Sequence, residues 1–255
     1  MPFTLAHPAA ALAFRRWCPV YFSFAAIVVG SLVPDLGNCL NLDNFNHSAI
    51  GSVAFCLPVG VVSLWVFYRI RVPLLVTLPM PHRQALLRAC RTAHASFFIS
   101  LISLFLGIWT HLAWDIFTHQ QSWLSLHIGS LSVHLFSIGI YQLRASSLVW
   151  LISTLVGMAL LSVQYALFLK SAKHHFFKFS WGEWRAYVFW LFMLSIPMLI
   201  SAGLTDFLYI SKGYYGSGWI FRAFCELYFT SFYVMLGLVG LLLVFRAGIR
   251  DRKPI

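Results

Sequence analysis

Long apolar runs, nearly free of charge, recur along the chain, separated by shorter polar segments. The first covers 17–34, where 20-VYFSFAAIVVGSLV-33 is mostly apolar. The second, 51–68, carries Pro58 inside it. The others are 95–117, 145–169, 186–205 and 227–245, the last ending before Arg246. Most reach the roughly 17–25 residues that a helix needs to cross a bilayer. Pro58 and Pro197 predict kinks, because proline lacks the backbone donor and its ring crowds the preceding turn. Residues 5–14 form a further apolar stretch. At about 1.5 Å per residue it is too short to cross alone. With 15-RRWCP-19 as the turn, it predicts a helical hairpin over 1–34 or a segment at the interface. The expected fold is all-α: a polytopic membrane helical bundle of about six transmembrane helices plus a short N-terminal helix. It forms a single integral membrane domain over 1–255, with the 1–34 hairpin inside it.

Composition strengthens this reading. The chain is 60% hydrophobic and only 10% charged, whereas ordinary soluble domains carry about 25% charged residues. The net charge of +11, from 18 basic and 7 acidic residues, does not point to nucleic acid. The basic residues flank the apolar runs, where they anchor to anionic headgroups and set topology. Membrane lipids are therefore the expected partners. The five cysteines, Cys18, Cys39, Cys56, Cys90 and Cys225, form no CxxC pair, and an odd number closes no disulfide framework. The basic pair Arg15–Arg16 follows an apolar stretch instead of preceding it, so targeting is expected through uncleaved segments.

Charge also orients the chain. The 69–96 connection carries Arg69, Arg71, Arg83, Arg88 and Arg91 with no acid. Residues 170–185 and the C-terminal tail are similarly basic, and they alternate with poorer connections at 35–50, 118–144 and 206–226. The positive-inside rule assigns the basic set to the cytoplasm. The expected location is the inner membrane of a bacterium, multi-pass, with the poorer connections on the outer face.

Those outer segments hold the chemistry. In 107-GIWTHLAWDIFTHQ-120, His111, Asp115 and His119 recur at four-residue intervals and so share one helical face. Asp35, Asp43 and His47 stand in 30-GSLVPDLGNCLNLDNFNHS-48. Such groups are costly near hydrocarbon unless they pair, bind a proton or bind a metal. Imidazole and carboxylate suit Zn²⁺ and harder transition metals. Two readings of the stripe stand side by side. In one, His111, Asp115, His119, Asp35 and His47 share a metal. In the other, His111 is a buried histidine satisfied by Asp115, and His47 opens a helix near the interface. Asp43 is weaker, since Asn41, Asn44 and Asn46 give its surroundings the composition of a polar turn. No HExxH and no P-loop occurs. His82, His94 and the His174–His175 pair lie in basic connections and read as interfacial. Asp206 and Glu226 sit near helix ends, and Trp123, His127, His134, Gln142 and Arg144 stand where they would line an entrance.

The segments 2-PFTLAHPAA-10, 29-VGSLVPDL-36, 47-HSAIG-51 and 111-HLAWDIFTH-119 occur in this order. Together they strongly resemble the bacterial membrane family DUF4184. More distantly they are similar to inner-membrane proteins described as metal-dependent hydrolases and to zinc-dependent phospholipase C. The resemblance implies that His7, Asp35, His47, His111, Asp115 and His119 are metal ligands. It implies a divalent ion, zinc or else manganese. The hydrolase-like families have a longer HR…THS segment where this chain has only 46-NHS-48. That departure limits the carry-over to a metal site.

The leading expectation is metal-dependent hydrolysis of a lipid-like, amphipathic phosphoester at the outer face, with Asp35 and His119 as catalytic groups that orient or deprotonate water. One alternative is a transporter or ion-binding membrane protein using the same cluster. Another is a nonenzymatic scaffold whose metal ties helix ends together.

Overall fold

The computed structural model describes residues 4–37, 42–80, 82–90, 95–118, 133–138, 141–171, 183–212 and 217–250. Among the described residues, five helices are long and apolar enough to cross a membrane: Ala49–Val76, Phe97–Phe117, Leu148–Ser171, Trp184–Ile210 and Ala223–Ala247. A shorter apolar helical segment covers Phe24–Leu36. The chain is an all-α, multi-pass membrane protein.

The first apolar run is not a sixth span. A 3₁₀ helix, Thr4–Trp17, ends where that run begins. After a turn come two short helices, α1 (Phe24–Gly30) and α2 (Val33–Leu36). Ser23 restarts the helix by capping it, its Oγ accepting the Ala26 N–H at 3.4 Å. Pro34 lies in the first turn of α2 and lacks the donor that a continuing helix would need. Within residues 4–36 a 3₁₀ helix is thus followed by two short α-helices.

Two more short helices follow, α3 (Asp43–Asn46) and α4 (Ala49–Gly51), the latter capped by Ser48. A π-helical turn, Ser52–Cys56, joins α4 to α5 (Leu57–Val76). This span continues past residue 68, where a connection was expected. Arg69 and Arg71 stay helical with their guanidinium carbons 5.2 Å and 4.8 Å from the rings of Trp65 and Tyr68, contacts that shelter the charge while the stems cover apolar surface. The connection begins only after Val76 and contains the short helix α6 (His82–Cys90). Then come α7 (Phe97–Thr118) and an antiparallel hairpin, β1 (His134–Ile138) with β2 (Tyr141–Arg144). In the hairpin Ile138 pairs with Tyr141 and His134 with Arg144. The apolar runs gave no sign of this small sheet. Helices α8 (Ala145–Ser171), α9 (Trp184–Lys212) and α10 (Ser217–Arg250) complete the chain.

Contacts group the chain into two units. One comprises Met1–Val61 and Ala95–Val163, the other Val62–His94 and Gln164–Ile255. In the first, α1 crosses α7 at two glycines. A Cβ on Gly30 would strike the Leu104 carbonyl, and a Cβ on Gly107 would strike that of Ile27. Small residues of this kind let helix backbones approach closely where lipid supplies no hydrophobic drive. Ile27, Leu104, Ile108 and Val33 are buried around the crossing.

In the second unit α9 packs along α10. The Trp190 indole donates to the Thr77 carbonyl at 3.2 Å. Glu183 accepts the Met80 N–H at 3.0 Å and stands 3.8 Å from Arg83.

Candidate metal centre

The centre is built on one face of α7. Ser103, Gly107, His111 and Asp115 follow one another at helical spacing. Each meets the N-terminal hairpin or its surroundings. Ser103 Oγ accepts the Ser23 N–H at 2.8 Å while donating to the Ile99 carbonyl at 2.6 Å. One turn on, Gly107 admits α1. Another turn on, His111 Nδ1 lies 2.7 Å from the Ser31 carbonyl oxygen. A carbonyl can only accept, so Nδ1 carries the proton. When the ring is neutral, Nε2 presents the lone pair. Metal-binding histidines are commonly held in this way, with the far nitrogen donating to a backbone carbonyl.

Around that Nε2 four other groups converge from separate elements. Asp35 comes from α2 and His47 from the segment after α3. Asp115 lies one turn beyond His111, and His7 belongs to the 3₁₀ helix. His111 Nε2 stands 3.1 Å from Asp115 Oδ2 and 3.5 Å from Asp35 Oδ1. His47 Nε2 stands 3.2 Å from Asp115 Oδ2 and 3.8 Å from Asp35 Oδ1. His7 Nε2 is 3.7 Å from Asp115 Oδ1. The His7 ring stacks on His111, with centroids 3.7 Å apart and planes 19° apart.

These separations bear on chemistry. Ligands about 2.0–2.1 Å from a zinc ion in tetrahedral array lie about 3.3 Å from one another. The observed spacings bracket that value. In His7–His111–Asp115 and in Asp35–His47–His111, the candidate ligand atoms lie within 4.8 Å of one another. His7, Asp35, His111 and Asp115 are buried, and His47 is partly so. His7 Nε2 is buried and forms no hydrogen bond among the described residues. Two buried carboxylates facing three imidazole nitrogens would be costly without compensating positive charge, which a divalent cation or a protonated imidazole would supply. The donor set is a buried His/Asp cluster able to coordinate a divalent metal.

The surroundings hold residues that sequence reasoning did not single out. Asn46 is fully buried. Its Nδ2 donates to the Pro34 carbonyl at 3.2 Å, and its backbone carbonyl accepts from the Cys56 thiol at 3.5 Å. Asn46 thus ties the turn bearing Asp35 to the segment bearing His47. A Cβ on Gly37 would strike the Asn46 amide, and one on Gly51 would strike the Phe45 carbonyl. The only signal in the sequence was an asparagine directly before the histidine, hidden in an asparagine-rich stretch.

His119, Cys39, Trp123, His127, His94 and the His174–His175 pair lie outside the described residues, as do the side chains of Asp43, His134, Gln142 and Arg144. His82 is engaged in the second unit, where its Nδ1 lies 2.8 Å from the Tyr165 hydroxyl. Asp206, on α9, is exposed.

The family model described as a domain of unknown function, DUF4184, matches residues 1–245. The chain belongs to the DUF4184 family. Neither the curated proteins nor the solved structures contain a match. Homology therefore supports membership of the DUF4184 family and does not extend to the metal-dependent hydrolases or zinc-dependent phospholipase C. For this DUF4184 chain, chemistry has to be argued from the cluster.

Proposed function

We propose that the cluster is a divalent-metal centre and that the protein is a metal-dependent hydrolase of a lipid-like phosphoester. The observation that carries the reading is the convergence of three imidazole nitrogens on two buried carboxylates, with His111 Nδ1 held as the donor to a backbone carbonyl so that Nε2 faces the carboxylates. In this reading His7, Asp35, His47, His111 and Asp115 hold zinc, or manganese in its place. His119, which continues the α7 stripe in sequence, is a further ligand or a proton acceptor. The ion supplies Lewis acidity toward a phosphoryl oxygen. Asp35 has a second oxygen to orient an attacking water and accept its proton. A substrate that is itself a membrane component suits a site built among bilayer-crossing helices. The alternation of basic connections favours the bacterial inner membrane, with the site on its outer face.

The burial of the donors favours a second reading. Five protein ligands can saturate an ion, and a saturated site ties helix ends together without catalysis. Hydrolysis separates the two. Full-length protein, loaded with zinc or manganese in phospholipid vesicles, is expected to release water-soluble phosphate or phosphorylated headgroup. Chelation and Asp35→Asn should each abolish release. Metal-loaded protein that releases no more than empty vesicles would refute the hydrolase reading for phospholipids and support the structural one.

A further inference from the structure

A cavity of about 180 Å³ adjoins the cluster in the first unit. It lies between the 3₁₀ helix, α7 and α8. His7, a proposed ligand, forms part of its wall together with Ala6, Ala9 and Ala10. Gly157 closes one side. A Cβ there would stand 3.0 Å from both the Cβ and the carbonyl oxygen of Ala6, so the 3₁₀ helix rests against the α8 backbone. For scale, an apolar cavity of about 150 Å³ accommodates benzene.

The lining indicates what fits. Its two hydroxyls are already used within their own helices: Thr110 Oγ1 donates to the Gly107 carbonyl at 2.7 Å, and Ser153 Oγ donates to that of Trp150 at 2.9 Å. Most of the remaining wall is methyl, methylene and indole. A polar occupant would lose its hydration for little return, whereas a hydrocarbon loses nothing. Val156 and Leu160 line the cavity while remaining 52% and 49% exposed. They mark an opening on α8, one of the bilayer-crossing helices. The most abundant solute at such an opening is a lipid tail.

We propose that this chamber binds one hydrocarbon chain of a membrane lipid, placing that lipid's headgroup end toward the His7 side of the cluster. Only the placement of the headgroup rests on the metal-centre reading. Chain binding itself does not.

Photolabelling tests it. Full-length protein in phospholipid vesicles would be doped with a phospholipid bearing a diazirine on one acyl chain, irradiated, and its adducts mapped by peptide mass. The expected result is adducts concentrated on residues 6–10 and 153–160, several-fold above the exposed Leu148–Ile152 stretch of the same helix. Val156→Trp should cut labelling of 6–10 several-fold with bound metal unchanged. Leu160→Trp provides the same test should Val156→Trp fail to fold. Uniform labelling along α8, or labelling of 6–10 indifferent to both variants, would overturn the proposal. Focused labelling in a protein that binds no metal would leave the chamber standing and the metal reading refuted. Bound metal without focused labelling would do the reverse.

Discussion

His111 and Ser31, eighty positions apart in sequence, meet at 2.7 Å between an imidazole nitrogen and a backbone carbonyl. The contact exists because α1 and α7 cross where neither carries a side chain, at Gly30 and Gly107. Close helix packing therefore sets the orientation of the central ligand.

Enlarging either glycine should accordingly damage the centre. Gly30→Val or Gly107→Val is expected to cost about 1–3 kcal/mol, the usual range for overpacking. It should also lower bound metal, since the Ser31 carbonyl would move away from His111. Thermal denaturation in detergent alongside metal analysis checks this. Unchanged stability and metal content in Gly107→Val would contradict the crossing described here.

Asn46 tests the supporting shell. Asn46→Ala removes the bond to the Pro34 carbonyl without touching a proposed ligand. Metal affinity is expected to fall about 10–100-fold, as is typical when an outer-shell partner is lost. Competition with a chromogenic chelator measures it. An affinity equal to wild type would show that Asp35 and His47 are positioned independently of Asn46.

Part of this site was legible in the sequence. His111 and Asp115 announce themselves by four-residue spacing inside an apolar run, where buried charge needs a reason. His7 is different. Nothing in its local pattern places it near Asp115, and only the family resemblance pointed to it. Its approach depends on a 3₁₀ helix that periodicity does not encode. The crossing glycines and Asn46 were illegible because their roles arise from contacts between distant segments. Span boundaries erred for local reasons. Pro34 and the Ser23 cap break the first apolar run, while aromatic neighbours carry Arg69 and Arg71 within the second helix.

Protons should compete with the metal. An imidazole coordinates only when neutral, so binding releases any proton it carries. Apparent affinity is expected to weaken steadily as a titration moves from neutral to mildly acidic buffer. A pH-independent affinity would argue against histidine ligation.

A substitution in the second unit supplies a control. Glu183→Ala removes the acceptor of the Met80 N–H and the partner of Arg83. The expected cost is about 0.5–1.5 kcal/mol, the net worth of a typical hydrogen bond, with bound metal unchanged. Loss of metal in this variant would mean that metal content reports general unfolding.

The most direct measurement is the metal content of the full-length protein purified in detergent without chelator, compared with that of folded His111→Ala and Asp115→Ala variants. The account predicts roughly stoichiometric zinc or manganese in the wild type, lost in both variants. A wild-type protein that is metal-free and takes up neither Zn²⁺ nor Mn²⁺ when they are added would contradict it.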